Sequence, residues 1–129
     1  MLVHDQEGRS GLGVVHSIAY GISLAVTGFA ENEIGQHSAK YVGGKSTLNL
    51  GSYIGPCPPA STGQHHYVFT LTATNAGSAE LPAGLPIQEA FTRRRGRTTG
   101  AIRDVLRHGR PQLGTPICRV IGASQSNGR

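Results

Sequence analysis

Two histidines of this sequence lie where a polar ring would face an apolar layer. His16 and His65 each share a predicted strand face with bulky residues, namely Val14, Ile18 and Tyr20 for the first and Tyr67, Phe69 and Leu71 for the second. A buried ring without a partner costs about 1–3 kcal/mol. Either a backbone carbonyl satisfies each ring, or both rings line one pocket and donate hydrogen bonds to an anion. His66 has the opposite parity, so we expect it to point elsewhere.

Two cysteines, Cys57 and Cys118, lie far apart in the chain and form no disulfide scaffold or metal knuckle by spacing. We expect two free thiols in a reducing cytoplasm. Paired with His16 or His65, a Cys57 thiol could serve acyl transfer, which makes a thiol-dependent hydrolase one alternative function. The His, Cys and acidic residues show no metal-ligand spacing, so we expect neither a metal nor a cofactor.

Basic residues concentrate near the C-terminus. Nine of the twelve Lys and Arg residues lie from Arg93 onward, all nine are Arg, and the net charge is +5. Such a stretch could neutralise nucleic-acid phosphates, which is a second alternative function. However, no aromatic residue follows Phe91 to stack on bases, so nucleic acid is a disfavoured partner.

A glycine-rich run invites a nucleotide-binding interpretation. Gly44-Lys45-Ser46 matches the end of a phosphate-binding P-loop, but Ala39 stands where the first glycine of that motif belongs. No amphipathic helix follows the run. The sequence therefore disfavours a nucleotide loop.

Short strands and turns must position these side chains. The chain of 129 residues is rich in Gly and Pro, which favours a mainly-β domain. We predict strands near 14–22 and 65–74, a loop over 23–39, and a helix from about Pro86 that Gly96 ends. A second helix is predicted to start at Thr98 or Thr99 and to end at Gly109. Residues 1–110 form the predicted domain, and 111–129 form a partly mobile tail.

The sequence from Tyr53 to Phe69 resembles a conserved block of the phosphatidylethanolamine-binding protein (PEBP) family, in its bacterial form. The matching runs are Tyr53-Ile54-Gly55-Pro56-Cys57-Pro58-Pro59, Thr62-Gly63 and His65-His66-Tyr67-Val68-Phe69. Gly44-Lys45-Ser46 resembles the approach to that block, and 15–22 resembles the family's histidine-bearing strand. Asp5 and Glu7 fall on the two acids of an upstream block. The resemblance covers about residues 2–110.

The resemblance implies a Greek-key β-sandwich with one or two peripheral C-terminal helices. It also implies a small pocket for phosphate-like or carboxylate-like anions, including the phosphoethanolamine head group of a phospholipid. The residues carried over as ligand-binding are Asp5, His16, His65 and Tyr67, with Gly55, Cys57, Pro58 and Pro59 as the pocket wall. The expected function is head-group binding without catalysis, which could modulate a partner protein.

The chain departs from the family pattern at its start. It begins at the acidic block, so the family's first strands are lacking, and we expect an exposed sheet edge that a homodimer could cover. Neither a signal peptide nor a run of ~20 apolar residues is evident, so we expect a cytoplasmic protein without a transmembrane segment.

Overall fold

The computed structural model describes residues 1–109, without the side chains at positions 78 and 108. The prediction for the tail at 111–129 lies outside the described residues. Strands β1 (Leu2–Asp5), β2 (Val14–Tyr20) and β3 (Val42–Gly43) are followed by the long β4 (Gln64–Thr74) and β5 (Thr98–Gly109). A short turn, α1 (Gly8–Gly11), follows β1, and helix α2 (Ile87–Arg94) precedes β5. Single 3-10 turns occur at Glu33–Gly35 and Ser78–Glu80.

The strands form one antiparallel sheet in the order β3-β2-β1-β4-β5. Strands β1, β2 and β3 follow one another, and β4 returns over a long connection to lie beside β1. The spatial order 4-1-2-3 is a Greek key. The prediction of a mainly-β Greek-key fold with a peripheral helix is confirmed, and residues 1–109 contain this one sheet.

Helix α2 covers one face of the sheet. Ile18 of β2 packs with Leu85 and Ala90, and this core is extended by Leu2, Tyr20, Leu81 and Ile87. The Tyr20 hydroxyl donates to the carbonyl of Pro82 and accepts from the Leu85 amide. The helix and its preceding loop are thereby fixed to the end of β2, which leaves the opposite face of the sheet to carry polar groups.

The predicted second helix is wrong, because its residues form β5. The spacing of Ile102, Val105 and Leu106 suits a helix, but their side chains are 70%, 50% and 45% exposed and meet no apolar layer that a helix face would need. The edge of β4 instead offers a ladder, and pairing runs from Gln64 opposite Gly109 to Thr74 opposite Thr98. Long-range backbone pairing therefore overrides the local pattern.

The glycine-rich run is a structural loop. The amide of Gly44 donates to Ile18, that of Lys45 donates to Leu85, and that of Ser46 donates to Leu50. Because these donors are already used, they cannot cradle a phosphate as a P-loop does. None of the helices in the described part of the chain is long and apolar enough to cross a bilayer.

One irregularity in the sheet decides the position of a predicted site residue. The register between β1 and β2 shifts by one between Val3, opposite Ser17, and His4, opposite Val15. His16 therefore has no partner across the ladder and is the extra residue of a β-bulge.

Candidate functional site

Asp5, at the end of β1, is the centre of a buried polar cluster. It is 4% exposed. Its Oδ1 accepts the backbone N–H groups of Glu7 and Gly8 at 3.1 Å each, because the chain turns sharply after β1. An added Cβ at Gly8 would lie 3.1 Å from Asp5 Oδ2 and 2.6 Å from a Val14 methyl carbon, so this position needs glycine. The turn thus holds the buried carboxylate of Asp5 in place at the end of β1.

His65 of β4 contacts the Asp5 carboxylate directly. Its Nδ1 lies 2.8 Å from Oδ2 and 3.0 Å from Oδ1. Its Nε2 lies 2.8 Å from Thr62 Oγ1, and that hydroxyl donates to the Pro59 carbonyl at 2.9 Å. His65 is therefore held at both ring nitrogens, and a chain of polar contacts runs from Asp5 to the proline-rich segment.

His16 reaches the same carboxylate from β2. Its Nε2 lies 3.8 Å from Asp5 Oδ2, and its ring meets the Tyr67 ring edge-on with centroids 5.3 Å apart. The sequence placed His16 on the face of Ile18, and this is wrong: Ile18 packs under α2 with Leu85. The β-bulge interrupts the alternation between the two residues, so His16 and Ile18 face opposite sides of the sheet.

Two tyrosine hydroxyls complete the cluster. Tyr67 is fully buried on β4 directly opposite Asp5, and Tyr53 lies edge-on to His16 with ring centroids 6.2 Å apart. Both hydroxyls and His16 Nδ1 are buried and find no hydrogen-bond partner among residues 1–109. Tyr53 lies in the sequence block that resembles the PEBP family, but it was not among the predicted site residues, because no strand pattern indicated its contact with His16.

Burial sets the protonation of these groups. Burial raises the pKa of Tyr53 to about 12 and that of Tyr67 to about 12, and the charge of Asp5 adds to the rise at Tyr67. The polar backbone of Cys57 beside the hydroxyl offsets part of that rise in the pKa of Tyr67. Burial lowers the pKa of His16 despite the opposing charge of Asp5. At neutral pH the cluster therefore offers two protonated hydroxyls and a neutral His16 ring.

The predicted wall residues differ in their relation to this cluster. The Cys57 backbone lies against the Tyr67 hydroxyl, and Pro59 connects to His65 through Thr62. Pro58 is fully buried, whereas Gly55 is partly exposed with a φ of 86°. Within residues 1–109, no hydrogen bond joins Gly55 or Pro58 to the cluster.

Cys57 is disulfide-bonded, so the predicted free thiol is wrong at this position. Cys118 lies outside the described residues. A sulfur in a disulfide has no thiolate to act as a nucleophile. The hydrolase alternative, which required a Cys57 thiol beside a histidine, therefore loses its chemical basis.

His66 points away from the cluster and pairs with Glu7. The Glu7 carboxylate accepts the His66 backbone N–H at 2.8 Å and lies 2.6 Å from its Nδ1. Accepting that backbone N–H lowers the pKa of Glu7, so its carboxylate stays ionised. Glu7 had no predicted role in the site, but one of its oxygens lies close to those of Asp5 and to His65.

Comparison with known proteins identifies the family. The sequence profile described as phosphatidylethanolamine-binding protein matches residues 1–101. The chain belongs to the PEBP family. Two solved structures share its fold: the PEBP homologue CT736 of Chlamydia trachomatis, with a TM-score of 0.71 at 20% identity, and YbcL of E. coli, with 0.67 at 17%. Each alignment covers 85% of this chain and 70% of the other.

Mycobacterial relatives are closer in sequence. LppC of Mycobacterium tuberculosis, whose name describes it as a candidate lipoprotein, is 41% identical over 73 residues, which are 55% of this chain and 33% of that protein. The UPF0098 protein Rv1910c of M. tuberculosis is 43% identical over 86 residues, which are 60% of this chain and 40% of that protein. The chain thus spans well under half the length of these relatives. A relative named as a lipoprotein contradicts the cytoplasmic location predicted above.

Proposed function

We propose that this PEBP-family protein binds a small anion of the phosphate or carboxylate class, including a phosphoethanolamine head group. The observation that supports this most strongly is a set of three buried polar atoms that have no hydrogen-bond partner in the described part of the chain. They belong to His16, Tyr53 and Tyr67, and the two tyrosine rings both meet the His16 ring edge-on. Leaving each group unsatisfied costs about 1–3 kcal/mol, which a bound anion would recover by accepting their hydrogen bonds.

Asp5 gives the proposed site a second recognition element. Its carboxylate would repel a bare anion, but it would attract the ammonium of a zwitterionic head group at hydrogen-bonding distance. His65 lies against the same carboxylate and offsets its charge when protonated. The cluster therefore suits phosphoethanolamine better than inorganic phosphate alone.

Thermal unfolding tests the proposal. Phosphoethanolamine, and more weakly inorganic phosphate, should raise the melting temperature, because a ligand that binds the folded state stabilises it. We expect His65→Ala to abolish the shift. Tyr53→Phe, which removes one unpaired hydroxyl and little else, should weaken binding by about tenfold, or ~1.4 kcal/mol.

Tyr20→Phe is the matched control, because its hydroxyl donates to the Pro82 carbonyl and accepts from the Leu85 amide on the opposite, α2-covered face of the sheet. It should leave ligand affinity unchanged. A folded wild-type protein that shows no shift with phosphoethanolamine, phosphate or acetate would refute the proposal.

We further propose that the protein functions outside the reducing cytoplasm. The disulfide at Cys57 and the lipoprotein name of one relative support this, since disulfides persist in oxidising compartments. Alkylation of the protein trapped directly from cells should leave Cys57 unlabelled until a reductant is added. Complete labelling without reductant would refute an oxidising location.

The arginines of the run at 93–97 do not favour the nucleic-acid alternative. Arg93 pairs with Glu89, and Arg97 pairs with Glu80. Arg94 lies over the Phe91 ring, with its guanidinium carbon 4.5 Å from the centroid. Most of the basic run at 93–97 is thus committed to contacts within the fold.

A further inference from the structure

Metal-ligand atoms from three separate positions converge at the end of β1. Asp5, Glu7 and His65 each offer one ligand atom, and the three atoms lie within 4.8 Å of one another. Asp5 Oδ2 and His65 Nδ1 are 2.8 Å apart. The ligands of a tetrahedral Zn²⁺ ion lie about 3.3–3.6 Å apart when each bond is about 2.0–2.2 Å long, so these two atoms would separate by about 0.5–0.8 Å on binding.

An independent observation points to the same place. The His16 side chain is more than nine-tenths buried, with 8% exposure, and its Nε2 is aimed at Asp5 Oδ2 across 3.8 Å. That gap is too long for a hydrogen bond. Its other nitrogen, Nδ1, also has no hydrogen-bond partner within residues 1–109. A second histidine thus faces the cluster with a free ring nitrogen.

The hydrogen bonds around His65 are compatible with an ion at its Nδ1. When the Thr62 hydroxyl donates to the Pro59 carbonyl at 2.9 Å, the 2.8 Å contact between Thr62 and His65 places the ring hydrogen on Nε2. The Nδ1 lone pair is then free to bind a metal ion beside the Asp5 carboxylate. With the ring hydrogen on Nδ1 instead, His65 donates to Asp5 and accepts from Thr62, and no cation is needed.

We propose that Asp5, Glu7, His16 and His65 form a binding site for a divalent transition-metal ion, with Zn²⁺ as the best-suited member. Two imidazole nitrogens and two carboxylate oxygens form a donor set typical of Zn²⁺, whereas Ca²⁺ and Mg²⁺ prefer oxygen alone. The metal replaces the Nδ1 proton of His65 and fills the gap in front of His16.

The surroundings match those of known metal sites. A ligating histidine usually donates its other N–H to a fixed acceptor, and here the acceptor is Thr62 Oγ1. Two backbone N–H groups orient Asp5, and His66 orients Glu7. The Glu7 side chain is 37% exposed, so an ion can enter from that side.

The metal would also supply positive charge beside the unpaired tyrosine hydroxyls, where an anion could complete its coordination. This last step depends on the function proposed above, whereas metal binding itself does not.

Calorimetry on tag-free, chelator-treated protein tests the inference. Titration with ZnCl₂ should show one ion bound per chain, and bound Co²⁺ should give visible ligand-field absorption. We expect Thr62→Val to weaken Zn²⁺ binding by about 10- to 100-fold and to alter the Co²⁺ spectrum, because Thr62 orients the His65 ligand. His16→Gln should weaken binding at least as much.

The exposed His37 provides the control, since His37→Gln removes a surface imidazole outside the cluster. It should leave the stoichiometry and affinity unchanged. Glu7→Gln, at a half-exposed position, gives a second ligand variant should His16→Gln fail to fold. Binding that is absent in the wild type, or equally strong in all of these variants, would overturn the metal site.

Titration with phosphoethanolamine in the presence of a chelator separates the two proposals. Anion binding without Zn²⁺ binding would overturn only the metal site. Zn²⁺ binding without any anion-dependent stabilisation would overturn only the proposed function.

Discussion

At the scale of single residues, one carboxylate organises the site. Asp5 accepts two backbone N–H groups, contacts His65 directly and faces His16. Its neighbours contribute in different ways: His65 is satisfied at both nitrogens, whereas His16 is buried with unmet hydrogen-bonding capacity. Removing a buried charge that others depend on typically costs about 3–5 kcal/mol. Asp5 is thus a structural residue as well as the centre of the candidate site.

His16 should make the stability of the protein depend on pH. Burial lowers its pKa from the ordinary 6.5 in the folded state. Below about pH 6.5 the unfolded chain therefore binds a proton that the folded protein resists, and the free energy of unfolding falls as the pH falls. The contribution has a limiting slope of about 1.4 kcal/mol per pH unit. Urea unfolding of the wild type and His16→Gln between about pH 7 and 5 measures it.

As the pH drops, the free energy of unfolding should fall less for His16→Gln than for the wild type. Asp5, His4 and His65 also act on the His16 charge, and all three are present in both proteins. His37→Gln should follow the wild-type curve. If the free energies of unfolding of the wild type and His16→Gln changed equally with pH, the pKa of His16 would be the same in the folded and unfolded states, which would contradict the prediction.

At the scale of secondary-structure elements, close approaches of the backbone hold β2 and α2 together. The loop at Gly43–Ser46 crosses the end of β2 and connects to the segment before α2 through Lys45 and Leu85. An added Cβ at Gly44 would lie 2.8 Å from an Ile18 methyl, 2.9 Å from the Tyr20 ring and 3.0 Å from the Leu85 carbonyl. The glycine is needed for packing, and phosphate binding does not explain it.

Gly44→Ala should therefore destabilise the protein by about 1–3 kcal/mol, since the neighbours that must move include backbone and a packed ring. Gly51→Ala is the matched control, because an added Cβ there would meet no atom within 4 Å and its φ is not left-handed. Chemical denaturation of both variants measures the effect. If Gly44→Ala and Gly51→Ala were equally stable, the residues between β2 and α2 would accommodate the added methyl group without cost, and the prediction would be wrong.

At the scale of the whole molecule, β5 is an exposed edge strand of the sheet. Its residues 98–107 are exposed or nearly so, and Ile102 lies directly opposite Leu71 of β4, with 70% and 44% exposure. Leu106 lies on the same face, opposite Tyr67. No other strand among residues 1–109 pairs with the outer edge of β5. Such an apolar edge favours association with another strand.

We therefore expect the protein to self-associate through β5, as a homodimer that extends the sheet. Ile102→Lys places a charge on the exposed face and should shift the molecule towards the monomer in light scattering coupled to gel filtration. Thr92→Lys, on the exposed side of α2, adds the same charge elsewhere and should leave the assembly unchanged. A wild type that is monomeric at high concentration would contradict the expectation.

The amino-acid sequence determined the features that depend on local pattern. Alternation along 65–74 placed His65 and Tyr67 on one strand face, the Gly- and Pro-rich composition indicated a mainly-β domain, and the block at 53–69 identified the PEBP family. The strand face can be predicted because side-chain direction along a strand repeats every two positions. The composition and the family block require no knowledge of contacts between distant residues.

The tertiary structure decided what depends on residues distant in the chain. Pairing with β4 made 98–109 a strand, and a register shift against β1 moved His16 to the face opposite Ile18. The disulfide removed Cys57 from the candidate nucleophiles. The packing of Tyr53 against His16 and of Glu7 near Asp5 arises from contacts between separate segments. No single segment encodes such contacts, because their free energy exists only once the sheet has assembled.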